Sequence, residues 1–195
     1  MTKKERSRKK IMHAAKGLYE QRGFENVTFQ DIADAAEVCR STVFNHFAGS
    51  ADLMTAIFEQ EMTDIEEYCR TAGLDGRARI EAVFDKLIED TACYPLLTYR
   101  LISNAVLNCT AGPAGSLQRM ERLLEEALPE EFRQRQGREQ TAVIAVMGAY
   151  YGLVNHYHSL NKAFDAELMK AEFHRLMTFI FGGREHEELW NQQMG

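Results

Sequence analysis

Between Gly23 and Leu53 the chain reads GFENVTFQDIADAAEVCRSTVFNHFAGSADL, and this stretch restricts the fold more than any other. Thr28–Ala36 has the pattern of a short helix, with Thr28 at the N-cap and Asp31 three residues on, as in a capping box. A turn follows, then a second short helical segment near Cys39–Phe44. Two short helices that cross steeply need small residues where they touch and apolar residues inside. Ala33 and Ala36 supply the first; Ile32, Val38, Val43 and Phe47 supply the second. The second helix is then left to present Arg40, Ser41, Thr42, Asn45 and His46 outward, the short polar and basic groups that suit a DNA major groove. Arg to guanine is the commonest specific pairing there, which singles out Arg40.

The same stretch resembles the TetR/AcrR family of regulators. The resemblance is carried in one gapless register by Gly23-Phe24, Thr28, Asp31-Ile32-Ala33, Val38, Thr42-Val43-Phe44, His46-Phe47 and Leu53. It covers about a quarter of the chain. What it implies is an all-α protein: an N-terminal three-helix helix-turn-helix domain (residues 1–49) followed by a larger helical ligand-binding and dimerisation domain (residues 50–195). It also implies a repressor that binds a palindromic operator as a homodimer and is released by a small molecule. The DNA-contacting set it suggests is Thr28, Gln30, Arg40, Ser41, Thr42, Phe44, Asn45, His46 and Ser50. Four positions depart from the family pattern. Glu37 stands where Gly is usual, Cys39 where Ser is usual, Phe44 where Tyr is usual and Ser50 where Lys is common. The last two remove a hydroxyl and a cation that would reach phosphates.

Charge distribution agrees with a DNA-reading head on a different body. The whole chain carries 23 Lys and Arg against 29 Asp and Glu, a net charge of −6. Residues 1–50 nevertheless hold nine basic groups against six acids, and the remainder 14 against 23. The run Lys3, Lys4, Arg6, Arg8, Lys9, Lys10 reads as a basic arm able to meet phosphates. No stretch approaches the ~18 uninterrupted apolar residues of a membrane span, and the basic N-terminus leads into no apolar signal core, so a cytoplasmic location is expected. Cys39, Cys69, Cys93 and Cys109 form no CxxC pair, and the six histidines have no zinc spacing. Neither a metal site, a cofactor nor a catalytic set is expected, because nucleophile, P-loop, dinucleotide and zinc-protease motifs are all missing.

Beyond the head, helical periodicity continues. Helices are expected over Ser7–Arg22, Ser50 to about Arg70, Arg77–Tyr94 (stopping at Pro95), Leu96–Asn108, Leu117–Leu128 capped by Ser116, about Arg138–Leu160, and Ala166–Phe181 before the Gly182-Gly183 pair. Thr110–Gly115 reads as a loop and EEFRQRQGREQ as a polar connector. On the penultimate helix Ala145 and Ala149, and Gly148 and Gly152, stand four apart, small enough for another helix to approach. On the last, Phe173, Leu176 and Ile180 extend an apolar stripe begun at Met169 and widened by Met177 and Phe181. These positions are the expected dimer interface. Phe58, Phe84, Tyr94, Tyr99, Asn104, Tyr151, Asn155 and His156 mix aromatic and polar groups on inward-facing segments, as an effector pocket needs. The acidic body, with Glu61, Asp64 and Asp90, favours a lipophilic or cationic effector over an anion. The rival reading is a helical interaction protein that kept this fold and lost operator binding.

Overall fold

The computed structural model describes residues 2–107, 114–133 and 138–182. Its helices run α1 Lys3–Arg22, α2 Phe29–Ala35, α3 Arg40–His46, α4 Ser50–Ala72, α5 Gly76–Cys93, α6 Pro95–Leu107, α7 Ala114–Ala127, α8 Glu130–Arg133, α9 Arg138–Ser159 and α10 Ala166–Phe181. No strand occurs among the described residues, and no helix among them is long and apolar enough to cross a membrane. The fold is all-α, as the periodicity and the resemblance require.

Several boundaries differ from the sequence expectation, each for a local reason. Helix α1 starts four residues early, so the basic run is helix and not an arm. Thr2 Oγ1 accepts from the Glu5 N–H at 3.2 Å while the Glu5 carboxylate accepts from the Thr2 N–H at 2.7 Å, a complete capping box. Pro95 opens α6 instead of merely closing α5, since its missing N–H is harmless at the first helical position. Helix α7 begins at Ala114, ahead of the expected cap at Ser116, and α8 is a single turn inside the expected connector. Cys109, most of the Thr110–Gly115 loop, and Gly183 onward lie outside the described residues.

By internal contacts the chain forms two compact units: Met1–Glu67 with Cys93–Met120, and Tyr68–Ala92 with Glu121–Gly195. These contacts keep the first part of α4, together with α6, in the unit that contains α1 to α3.

In the first unit Ile11, Ala15 and Leu18 of α1 meet Ile32 and Ala33 of α2, Val43 of α3, Phe47, and Leu53 and Ile57 of α4, all buried. Leu97 of α6 joins that core. Polar groups fasten its rim. The Glu20 carboxylate accepts from the Leu96 N–H at 3.0 and 3.3 Å and from the Leu97 N–H at 3.1 Å. Arg100 pairs with Glu25 at 2.7 Å, and Lys16, paired with Glu61, lies 4.5 Å from the Tyr94 ring centre.

In the second unit the core is Ile80, Val83, Phe84 and Ile88 of α5, Val143, Val146, Tyr150, Leu153 and Tyr157 of α9, and Met169, Phe173 and Met177 of α10. Phe84 stacks on Phe173 at 4.7 Å and meets Tyr150 at 5.5 Å. One polar chain runs through this core. The Thr91 hydroxyl donates to the Leu87 carbonyl at 2.7 Å, which leaves its oxygen to accept from the Tyr150 hydroxyl at 2.8 Å. Satisfying both hydroxyls internally lets Thr91 be fully buried without an unpaired polar group. Lys170–Glu89 and His174–Asp85, each at 2.8 Å, tie α10 to α5 at the surface.

Candidate nucleic-acid interface

The turn between α2 and α3 is fixed by backbone bonding. The Val38 N–H donates to the Ala33 carbonyl at 2.9 Å and the Glu37 N–H to the Asp34 carbonyl at 3.2 Å. This is the paired closure of a Schellman motif, whose C′ residue must adopt the left-handed conformation. That residue is Glu37, at φ 54°, so the position where the family pattern has Gly is held by a side chain that resists this backbone. At the other end of the turn Cys39 is the N-cap of α3, in extended conformation, and its side chain makes no capping hydrogen bond.

Helix α3 buries only Val43. Arg40, Ser41 and Asn45 are exposed and Thr42 is half-buried, so three of the five residues expected on the outward face are open to solvent. Phe44 belongs to that face and not to the core, being 49% exposed. Its ring rests against Phe29 of α2 at 5.0 Å, and the Arg40 guanidinium lies 5.4 Å from its centre.

His46 closes the helix and is held by α1. Its Nε2 lies 2.7 Å from the Ser7 hydroxyl, and because that hydroxyl donates to the Lys4 carbonyl, the imidazole is the donor. Arg8 donates to the His46 carbonyl at 3.1 Å and stands 4.5 Å from the Phe47 ring centre. Burial, then the Arg8 and Lys4 charges, lower the His46 pKa. From the sequence Ser7 is not singled out, and Arg8 is placed only in the basic run, not against His46. The signal that would have placed them was Thr2-x-x-Glu5, which starts α1 early enough to bring both against α3. Beside them a groove of about 730 Å³ runs between α1 and α3, with Lys3, Lys4, Thr42 and Asn45 in its walls.

The other expected contact residues have local duties. The Thr28 hydroxyl caps α2 by accepting from the Asp31 N–H at 3.2 Å and donates to the Asp31 carboxylate. That carboxylate also accepts from the Thr28 N–H at 2.8 Å; these bonds from Thr28, ahead of the Arg22 charge, lower the Asp31 pKa. Gln30 is exposed and donates to Asp34 at 2.8 Å. Ser50 begins α4 beside the buried Tyr19, whose hydroxyl burial pushes up to about 12.

The expected effector residues divide between the units. Phe58, Tyr94 and Tyr99 are half-buried in the first, and Asn104 lies on α6 with its side chain outside the described part. In the second, Tyr151 is half-buried, its hydroxyl pushed up to about 12 by burial and by the Glu121 charge. Phe84 is committed to the core. Asn155 and His156 do not face inward: both are exposed, and Lys162 donates to His156 Nε2 at 2.9 Å. The apolar period of α9 runs Val143, Val146, Tyr150, Leu153, Val154, Tyr157, which turns 155 and 156 to the opposite side.

Among the expected interface residues, Gly148 and Gly152 are exposed, Ala145, Ala149 and Ile180 half-buried, and Leu176 exposed. Phe173 is the exception, since it is fully enclosed in its own unit against Phe84. The outer faces of α9 and α10 instead expose Ile144 (64%), Leu168 (61%) and Phe179 (69%).

A three-helix head whose last helix turns Arg40, Ser41 and Asn45 outward over a sealed apolar core has the architecture of a helix-turn-helix. The comparisons find relatives of this head. Residues 11–57 match the family of bacterial regulatory proteins described as the tetR family. The HTH-type transcriptional repressor KstR2 of Rhodococcus jostii (strain RHA1) is 30% identical over 79 residues, 39% of this chain and 39% of that one. The fatty acid degradation regulator FadR from Bacillus halodurans superposes with a TM-score of 0.72 at 18% identity, covering 91% of this chain and 95% of its own. FadR from Bacillus subtilis, in complex with stearoyl-CoA, does so at 0.69 and 15%, covering 87% and 97%. The likeness to the tetR family is thus carried by residues 11–57. The chain spans well under half the length of the repressor it matches, and the solved structures share its fold.

Proposed function

We propose that this chain is a cytoplasmic repressor that binds a palindromic operator as a homodimer and leaves it on binding a small-molecule effector. The observation that carries the DNA-reading part is the outward face of α3, where Arg40, Ser41 and Asn45 are exposed beside Phe44. That face is braced from behind by Ser7 and Arg8 on a basic helix. Residues 1–49 are the reading head in this view, with Thr28, Gln30 and Ser50 at its margins. Residues 50–195 carry dimerisation and the effector.

The dimer reading rests on α9 and α10. A side chain built at Gly148 or Gly152 would meet nothing within 4 Å, so the protomer itself does not require glycine there; a closely approaching second helix would. Ile144, Leu168 and Phe179 add exposed apolar area of the sort that marks an interface. A two-fold dimer also explains how two recognition helices enter successive major grooves, about 34–36 Å apart.

The effector in this reading is a lipophile. The acidic body argues for a cationic one, whereas the similar Bacillus subtilis regulator was solved with the anionic stearoyl-CoA. A lipophilic cation and a long-chain acyl-CoA are therefore the two to test side by side. Release then follows from population shift: the effector prefers a head spacing that no longer matches the grooves.

The test is binding of the full chain to its preferred duplex as salt is raised, for the natural sequence and Arg40→Ala. The expected result is specific binding that weakens with salt, and a loss of about 1–3 kcal/mol or relaxed base preference at one position per half-site for the variant. Equal affinity for all sequences in both proteins would favour the interaction-protein reading.

A further inference from the structure

We propose that Phe44 reads the 5-methyl group of a thymine in each half-site, with the Arg40 guanidinium held across its ring. The inference rests on the DNA-binding function proposed above and names what the recognition helix reads.

Phe44 stands at the middle of α3, on the side that carries Arg40, Ser41 and Asn45, and half of its surface is open. Having no hydroxyl, it cannot hydrogen-bond a phosphate, so its part in an interface is apolar contact. In the major groove the base edges present hydrogen-bond donors and acceptors, and the one sizeable apolar group among them is the thymine methyl. That methyl therefore offers an exposed phenyl ring more apolar area than any other feature of a base edge.

The ring is also held in place. Phe29 backs it at 5.0 Å with a 58° tilt, and Phe29 is itself buried in the head's core. Arg40 lies one helical turn earlier, the i, i+4 relation that puts two side chains on one face. Its guanidinium rests 5.4 Å from the ring centre, within the range where a cation is attracted to an aromatic face. The ring thus limits the freedom of the arginine while leaving its donors available. Phe44 reads thymine directly and positions Arg40 for a guanine in the same half-site.

Uridine scanning tests this. The duplex preferred by the full-length chain is prepared with each thymine in turn replaced by deoxyuridine, which removes the methyl and keeps the pairing edge. Burying one carbon of this size corresponds to about a fourfold change in affinity. One thymine per half-site should therefore show about a fourfold loss, and roughly 15-fold when both half-sites are changed. In Phe44→Ala the thymine–uridine difference at that position should vanish and guanine preference should relax. Thermal unfolding close to the natural sequence would show the head still folded, as expected for a half-exposed side chain. Unchanged affinity at every uridine position overturns the inference and leaves the DNA-binding proposal standing. So does a penalty that persists in Phe44→Ala, which would assign the methyl to another side chain. Recovery of no preferred duplex at all overturns both.

Discussion

Glu20 makes the most specific stability prediction. Pro95 at the start of α6 has no N–H, so Leu96 and Leu97 carry the helix's next unpaired donors. Both are taken by the Glu20 carboxylate from α1, at 3.0 and 3.1 Å. The Thr98 N–H already bonds the Tyr94 carbonyl at 2.9 Å. Glu20 therefore does for α6 what an N-cap residue does for its own helix, across a tertiary contact. Losing an N-cap costs about 0.5–2 kcal/mol, and losing a negative charge at a helix N-terminus adds about 0.3–1 kcal/mol. Leu96 is exposed, so water replaces part of what is lost, and Glu20→Ala should cost ~1–2 kcal/mol. Glu20→Gln keeps one acceptor oxygen and should cost about half as much. Amide hydrogen exchange reads the effect locally. Leu96 and Leu97 should exchange roughly tenfold faster in the alanine variant, the factor that ~1.4 kcal/mol corresponds to. Amides of α5 and α10 should keep their rates. Unaltered exchange at Leu96 and Leu97 in Glu20→Ala would refute the capping role.

Three further outcomes are expected. Glu37→Gly should stabilise the head by about 0.5–1 kcal/mol in urea unfolding, because glycine adopts the left-handed turn without strain; the lost Lys10 pair at 3.9 Å is exposed on both sides and contributes little. A destabilised Glu37→Gly would contradict the strain at this turn. Because the His46 pKa is lowered on folding, the folded state binds fewer protons than the unfolded one near this group. Its contribution is then complete above the unfolded value of about 6.5 and is lost as pH falls through the folded value. His46→Asn should flatten that part of the stability profile, and identical pH profiles for the two proteins would exclude it. Phe179→Glu should yield monomers by light scattering with little change in protomer stability, since the side chain is exposed; a persistent dimer would move the interface off this face.

The head was legible in the sequence because its constraints are local. Ala33, Ala36, Ile32, Val43 and Phe47 have one sensible arrangement, and Thr28 with Asp31 signals its own helix start. The basic run was harder, since six cations in ten residues suggest a solvated arm. The Thr2–Glu5 box, four residues long, outweighs that impression. Pro95 misled as a stop because the same residue also suits a helix start. On α9, aromatic and polar residues alternate closely enough that Asn155 and His156 appeared to share the inner face with Tyr151, although the Val–Tyr–Leu period turns them outward. Phe173 illustrates a different difficulty. An apolar stripe on a terminal helix serves its own core first, and only packing separates that stripe from the exposed one at Leu168 and Phe179. The Glu20 cap on α6 joins residues 76 and 77 positions apart, and nothing local announces it.

Selection of bound duplexes from a randomised library, with the full-length chain at moderate salt, tests the central claim most directly. A palindrome whose half-site centres are about one helical turn apart is expected, because two recognition helices related by a two-fold axis require that spacing. Sequence-blind binding that only weakens as salt rises would contradict a dimeric operator-reading regulator.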